Sequence, residues 1–295
     1  MGKLCHIFCC PPLPSRIASK LAFGPPPASY AFEERAAEGQ TDESARTLAI
    51  AFNDTADWMY GERERSKIEC VYATTGRGHK IGCVYVRATK SPKFVIAYSH
   101  GNAVDVGQMC SFYYAVGCHV GCDVFSYDYA GYGVSGGRPS EKNMYADVEA
   151  AWHVLTSVFH VPPERVILYG QSIGTVPTVY LAASSTSPKA VVLHSPFTSG
   201  LRLLVDGSRG RRRAVSCCDV FPNIERVPRI ACPVLVIHGT HDEIIDVGHA
   251  VEIHNSCAVP LAPLFIEGAG HNDLDLYQEY LERIKRLINV ELAAV

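Results

Sequence analysis

The chain lacks any apolar run approaching the roughly 20 residues that a membrane-spanning helix needs. It also lacks an excess of either charge. Lys and Arg number 27 against 30 Asp and Glu, for a formal charge of -3. That balance gives no global case for nucleic-acid binding, and nucleic acid is not an expected partner. A secretory leader is not expected either. Met1 to Phe8 carries little basic character, and Pro11-Pro12 interrupts the apolar stretch early. Cysteine is plentiful at 12 residues, but the regular spacing of a small disulfide framework is missing, so a reducing compartment fits best. Cys5, His6, Cys9 and Cys10 have some metal-ligand character. They lack a second ligand pair at zinc-finger spacing, so no metal and no cofactor are expected.

What is present suits one large α/β domain with a substantial core: 295 residues, 47% hydrophobic and 19% charged. Three regions separate. Residues 1–23 form a cysteine-rich tail. Residues 24–44, opening on Gly24-Pro25-Pro26-Pro27 and turning acidic, read as a flexible linker. Residues 45–295 are the folded domain. Period-two segments at 67–73 and 80–88, joined by Thr75-Gly76-Arg77-Gly78, predict a hairpin. Further strands are expected at 94–99, 123–127, 165–169, 190–194, 234–238 and 264–267. Helices are expected at 106–116, 141–158, 247–255 and 273–289. This alternation predicts a mainly parallel eight-stranded sheet with helices on both faces. Ligands of such sheets bind beyond the carboxyl ends of the strands.

One pentapeptide stands at such an end: Gly170-Gln171-Ser172-Ile173-Gly174. The β-branched run 165–169 leads in, and a helix-competent run from Thr175 leads out. Strand, sharp turn and helix with serine at the apex is a nucleophile elbow. The bland alternative is a glycine-rich turn whose serine caps a helix. Serine needs a base, and the base needs an orienting group. In chain order Ser, Asp, His, the sequence offers Asp242 after strand 234–238 and His271 within Gly268-Ala269-Gly270-His271 after strand 264–267. Asp246 is the competing acid. A tetrahedral intermediate needs an oxyanion hole of N–H donors. Ile173, at the start of the elbow helix, is one candidate main-chain donor. Asn102, in Ser99-His100-Gly101-Asn102-Ala103, is the other. His100 reads as loop packing, residues 128–133 as the floor of the site, and His194, His238 and His254 as structural. The reaction class is acyl transfer to water through an acyl-serine.

The tail sets Cys5, Cys9 and Cys10 among Leu4, Ile7 and Phe8, with Arg16 and Lys20 nearby. Cysteines in such a setting are candidates for S-palmitoylation, and several together meet the need of stable anchoring for two lipid signals. An ordinary solvated tail is the alternative. Gly2 is a poor myristoylation site, because His6 stands where Ser or Thr is expected. Between the sixth and seventh expected strands, Gly207-Ser208-Arg209-Gly210-Arg211-Arg212-Arg213 is read either as a lid insertion facing anionic lipid or as a solvated loop.

These segments closely resemble the α/β-hydrolase domain-containing protein 17 group of palmitoyl-protein thioesterases. The resemblance rests on IASKLAF, SHGNAVD with GQM, FSYDY with GYG, YADVEAAW, YGQSIGTVP, VLHSPFTSG, VIHGTHDEIID and EGAGHNDLDLY. It implies the α/β-hydrolase fold with a short lid insertion, and a catalytic triad of Ser172, Asp242 and His271. It also implies removal of palmitate from cysteines of membrane-associated proteins, such as Ras-type GTPases and postsynaptic scaffolds. Cys5, Cys9 and Cys10 take the acylation sites of that group. The implied location is the cytoplasmic face of plasma and endosomal membranes, peripheral and lipid-anchored, including postsynaptic and dendritic membrane. His6 and Leu13 stand where the pattern has cysteine, and the loop from Gly207 to Ser216 is longer and more basic. Two competing functions use the same residues differently: a glycerolipid esterase, and a catalytically silent adaptor for lipidated proteins.

Overall fold

The computed structural model describes residues 22–36, 46–184, 186–205 and 219–293. Cys5, Cys9, Cys10 and the basic loop Arg209 to Arg213, with the lid expected there, lie outside them. Ten strands form one sheet: β1 (Tyr30–Ala36), β2 (Arg46–Phe52), β3 (Ile68–Thr74), β4 (Lys80–Val86), β5 (Val95–Ser99), β6 (Asp123–Tyr127), β7 (Val166–Gln171), β8 (Ala190–His194), β9 (Val234–Gly239) and β10 (Leu264–Ile266). The order is β1-β2-β3-β4-β6-β5-β7-β8-β9-β10. From β6 to β10 all pairings are parallel, while β1 to β4 add an antiparallel wing.

Period-two burial splits the core into two layers. Val166 and Leu168 of β7 and Val234 and Val236 of β9 face one side. The helices Glu141–His153, Thr175–Ala182 and Val247–Ser256 cover it. Ile167, Tyr169, Leu235 and Ile237 face the other, beneath the helices Val106–Val120 and Gln278–Arg286. Parallel strands buried on both faces need continuous apolar sequence, which these have. None of the described helices is long and apolar enough to cross a membrane. The strand order reverses at β5: β6 lies on one side of it and β7 on the other. The crevice between the carboxyl ends of β5 and β7 is therefore the place where this fold binds ligands.

Among the described residues the sheet has ten strands rather than the expected eight. Of the two additions, β2 shows alternation in Leu48, Ile50 and Phe52, and β1 lies inside the segment read as linker. The linker expectation for 24–44 is overturned at Tyr30–Ala36, and the tail expectation for 1–23 at Phe23, a buried core residue. Distant partners are the reason. Ser29 donates its N–H to the buried Asp105 carboxylate at 2.7 Å and its hydroxyl to the other oxygen. Tyr30 donates to buried Asp128 at 2.6 Å. A Cβ on Gly107 would come within 2.3 Å of Ser29 Oγ, so the helix Val106–Val120 approaches this segment closely only because residue 107 is glycine. Asp105 also caps that helix through Gln108 N–H, in a reciprocal capping box.

Ser29→Ala removes a hydroxyl donor from a buried carboxylate. The expected cost is about 1–3 kcal/mol of stability, read as a lower urea midpoint with an unchanged m-value. An unchanged midpoint would show that Ser29 does not tie β1 to the domain.

Candidate active site

Ser172 follows β7 in a short 3-10 turn, Ser172–Gly174, that runs into the helix Thr175–Ala182. Its φ is 53°, left-handed and costly for a residue with a Cβ. The strain falls on the serine, not on the flanking glycines, neither of which has positive φ. The glycines are needed for space. A Cβ on Gly170 would meet Gly174 O at 2.5 Å, and one on Gly174 would meet Ser99 O at 2.1 Å. Their absence lets the elbow pack directly on the end of β5.

The three residues expected at strand ends converge. His271 Nε2 lies 3.1 Å from Ser172 Oγ, and His271 Nδ1 lies 2.7 Å from Asp242 Oδ2. Asp242 Oδ1 accepts the N–H groups of Ile244 and Ile245 at 2.9 and 2.7 Å. Burial acts to raise the Asp242 carboxyl. Hydrogen bonds from His238, His271 and Ile245 outweigh it and hold the group well below the usual carboxylate range. An ionised carboxylate only accepts, so Nδ1 carries the imidazole proton and Nε2 is free to accept from the serine hydroxyl. Such a relay can activate a hydroxyl and hold the imidazolium that forms. Asp246 is not the acid: its Oδ1 accepts Gly248 N–H at 2.8 Å and caps the helix Val247–Ser256.

His238 has a part the sequence reading missed. Its Nε2 lies 3.2 Å from Asp242 Oδ2 and 2.8 Å from the Ile245 carbonyl. A carbonyl only accepts, so Nε2 carries the proton and faces the same carboxylate oxygen as His271. The i, i+4 spacing in His238-Gly-Thr-His-Asp242 was the available signal. His194 is a neutral imidazole: burial pushes it down to about 3, with nearby His271 and His238 adding to the effect. Its Nδ1 pairs with Tyr169 OH at 2.9 Å.

A cavity of about 690 Å³ opens over Ser172, within the range of ligand pockets. Met109, Phe112, Phe197, Leu203 and Phe221 supply much of its apolar wall, and Ile173, Asn102 and His271 line it beside the serine. Ala22, the first described residue, also lines it. His100 turns elsewhere. Its Nδ1 bonds Gly101 O at 2.8 Å, and its Nε2 lies 3.1 Å from Asp128, whose carboxyl burial pushes upward. None of residues 128–133, expected as the floor of the site, lines the cavity; Tyr129 OH donates instead to His100 O, on the loop after β5, at 2.6 Å. Among the described residues no group of three or more His, Cys, Asp or Glu could hold a metal ion.

The chain is 49% identical over 300 residues to alpha/beta hydrolase domain-containing protein 17C of Xenopus tropicalis, covering 99% of this chain and 95% of that one. It is 49% identical over 291 residues to the human protein 17B, covering 99% and 97%. No protein-family model matches it. Among solved structures, the Pyrococcus furiosus esterase Pf2001 is similar with a TM-score of 0.62 at 16% identity, covering 78% of this chain and 92% of that one. That likeness is one of fold.

The buried Asp147 accepts Ala130 N–H at 2.8 Å beneath the loop 128–133, and burial pushes its carboxyl up to about 7. The unfolded value is near 4. Between these values the folded state holds a proton that the unfolded state has released, so stability falls as pH rises from about 4 to 7. Asp147→Asn keeps the acceptor and removes the titration. Urea unfolding at pH 5 and pH 7.5 should show the variant gaining on the wild type as pH rises. A difference independent of pH would refute this.

Proposed function

The chain belongs to the alpha/beta hydrolase domain-containing protein 17 family, and on that premise we propose that it is a membrane-anchored serine hydrolase that removes palmitate from S-acylated protein cysteines. The observation carrying this reading is the continuous Ser172–His271–Asp242 hydrogen-bond relay at the wall of a largely apolar cavity. In the proposed mechanism His271 Nε2 takes the Ser172 proton as Oγ attacks the thioester carbonyl. Asp242 stabilises the imidazolium. The main-chain N–H groups of Ile173 and Asn102, both at the cavity, receive the developing oxyanion. A cysteine thiolate then leaves and takes up the proton held by His271, which restores the neutral imidazole for the second half-reaction. Its parent thiol has a pKa of about 8.5, so departure needs little acid assistance. Water, deprotonated by His271, releases the fatty acid from the acyl-serine.

The apolar cavity wall suits a fatty acyl chain, which gains by leaving water. Cys5, Cys9 and Cys10 are the proposed acylation sites that hold the enzyme at the cytoplasmic face of plasma and endosomal membranes. Substrates of the Ras-type GTPase and postsynaptic scaffold classes are proposed from family membership. Confinement of enzyme and substrate to one surface raises their effective concentration.

Wild type should hydrolyse a palmitoylated cysteine peptide in preference to a monoacylglycerol and react with a fluorophosphonate probe. Ser172→Ala should lose both activities, with kcat falling on the order of 10⁴-fold or more. Preference for the monoacylglycerol would instead identify a glycerolipid esterase, and absence of labelling in the wild type would identify a silent binder. Replacing Cys5, Cys9 and Cys10 together with serine should move the protein from the membrane fraction to the soluble fraction. Unchanged fractionation would refute the anchoring.

A further inference from the structure

Asn102 is solvent-exposed, yet its side chain is held from two directions. Its Oδ1 accepts the Gly24 N–H at 2.9 Å and the Tyr132 hydroxyl at 2.7 Å. The two donors come from segments 78 and 30 residues away in sequence, so neither contact is a by-product of local turn geometry. Tyr132 is fully buried, with its ring 5.6 Å from the rings of both His100 and Tyr129. Its hydroxyl therefore reaches Asn102 from a fixed platform. Gly24 follows Phe23, which is buried with its ring 6.0 Å from Phe221 in an edge contact. Phe221 and Ala22 are themselves walls of the Ser172 cavity. Immediately beyond Asn102 the backbone turns through Ala103 with φ 60°, an arrangement that persists only where surrounding contacts impose it.

From these contacts we infer that the Asn102 carboxamide is a positioning group. It pins the loop after β5 between the buried Tyr132 and the segment Ala22–Gly24, and so fixes the Asn102 main-chain N–H at the cavity beside Ser172. The inference rests on the serine-hydrolase reading and adds a device to it. The side chain does not touch the reacting atoms; the main chain of the same residue does the oxyanion work. The segment Ala22–Gly24 becomes part of the site itself, because it supplies a cavity wall and one of the two clamps on the loop.

The test uses the full-length protein and the hexanoyl thioester of mercaptoethanesulfonate, a soluble substrate for which membrane attachment is irrelevant. Asn102→Ala removes the acceptor. Tyr132→Phe removes one donor and keeps the buried ring, so it preserves the fold if Asn102→Ala does not. A displacement of about 1 Å at a catalytic group can cost up to about a hundredfold. The expected result is a kcat lowered roughly ten- to a hundredfold in Asn102→Ala and several-fold in Tyr132→Phe, with KM little changed and slower fluorophosphonate labelling of Ser172. The double variant should be no slower than Asn102→Ala, because both substitutions break one linkage. Wild-type kcat in Tyr132→Phe and Asn102→Ala, or multiplicative losses in the double variant, would overturn the positioning role while leaving the hydrolase intact. A wild type that neither hydrolyses the thioester nor takes the probe would overturn the hydrolase reading itself.

Discussion

The close approach of the elbow to the end of β5 is the constraint on which the rest of the site depends. Gly174 lies so near the carbonyls of Ser99 and His100 that any Cβ there would stand 2.1 and 2.7 Å from them. This contact seats the start of the elbow helix beside the loop that carries Asn102. Ile173, on the elbow after β7, and Asn102, on the loop after β5, then line one cavity. The same contact drives Ser172 into its left-handed φ, because strand and helix are too close for a relaxed turn. Strain at the serine and proximity of the elbow to the loop after β5 are two outcomes of one steric fact.

The second half of the site is governed by the Asp242 carboxylate. It takes hydrogen bonds from two main-chain N–H groups and faces the ring nitrogens of two histidines. That much donation keeps it ionised although its side chain is fully buried. Ionisation fixes the tautomer of His271, and the tautomer decides whether Ser172 meets an acceptor or a second donor. A buried histidine at the end of β9 thus bears on the Ser172 hydroxyl through the carboxylate and His271, without contact with the serine.

Legibility in the sequence followed the range of the interactions. Ser172, Asp242 and His271 were readable because each is placed by a strand end, and strand ends are marked by local pattern: apolar run, then glycine. The parallel sheet from β6 to β10 was readable for the same reason. β1 was not, because Gly24-Pro25-Pro26-Pro27 and Glu33-Glu34 have the composition of a linker. What makes this segment structured is Ser29 and Tyr30 bonding to Asp105 and Asp128, more than 70 residues away. Composition reports local propensity and is blind to a buried carboxylate waiting elsewhere in the fold. His238 was partly legible through its spacing to Asp242. The junction of Gly24, Asn102 and Tyr132 was not, since it joins three segments with no common pattern.

Those long-range contacts change how the amino-terminal region should be understood. A tail that only tethers needs no fixed relation to the active site; a polar linker of any sequence would serve. Here Phe23 is buried against a cavity wall, Gly24 is bonded to Asn102, Ser29 to the cap of the helix Val106–Val120, and Tyr30 to the carboxylate that also faces His100. Four successive attachments lead from the cavity wall to the edge of the sheet, and two of them end on the loop that carries Asn102. Conformational freedom at residues 23–30 would therefore be felt in the geometry of that loop. The segment that precedes β1 is built as a structural member of the cavity region, and the hydrogen bonds that hold it are the ones that also hold the loop after β5.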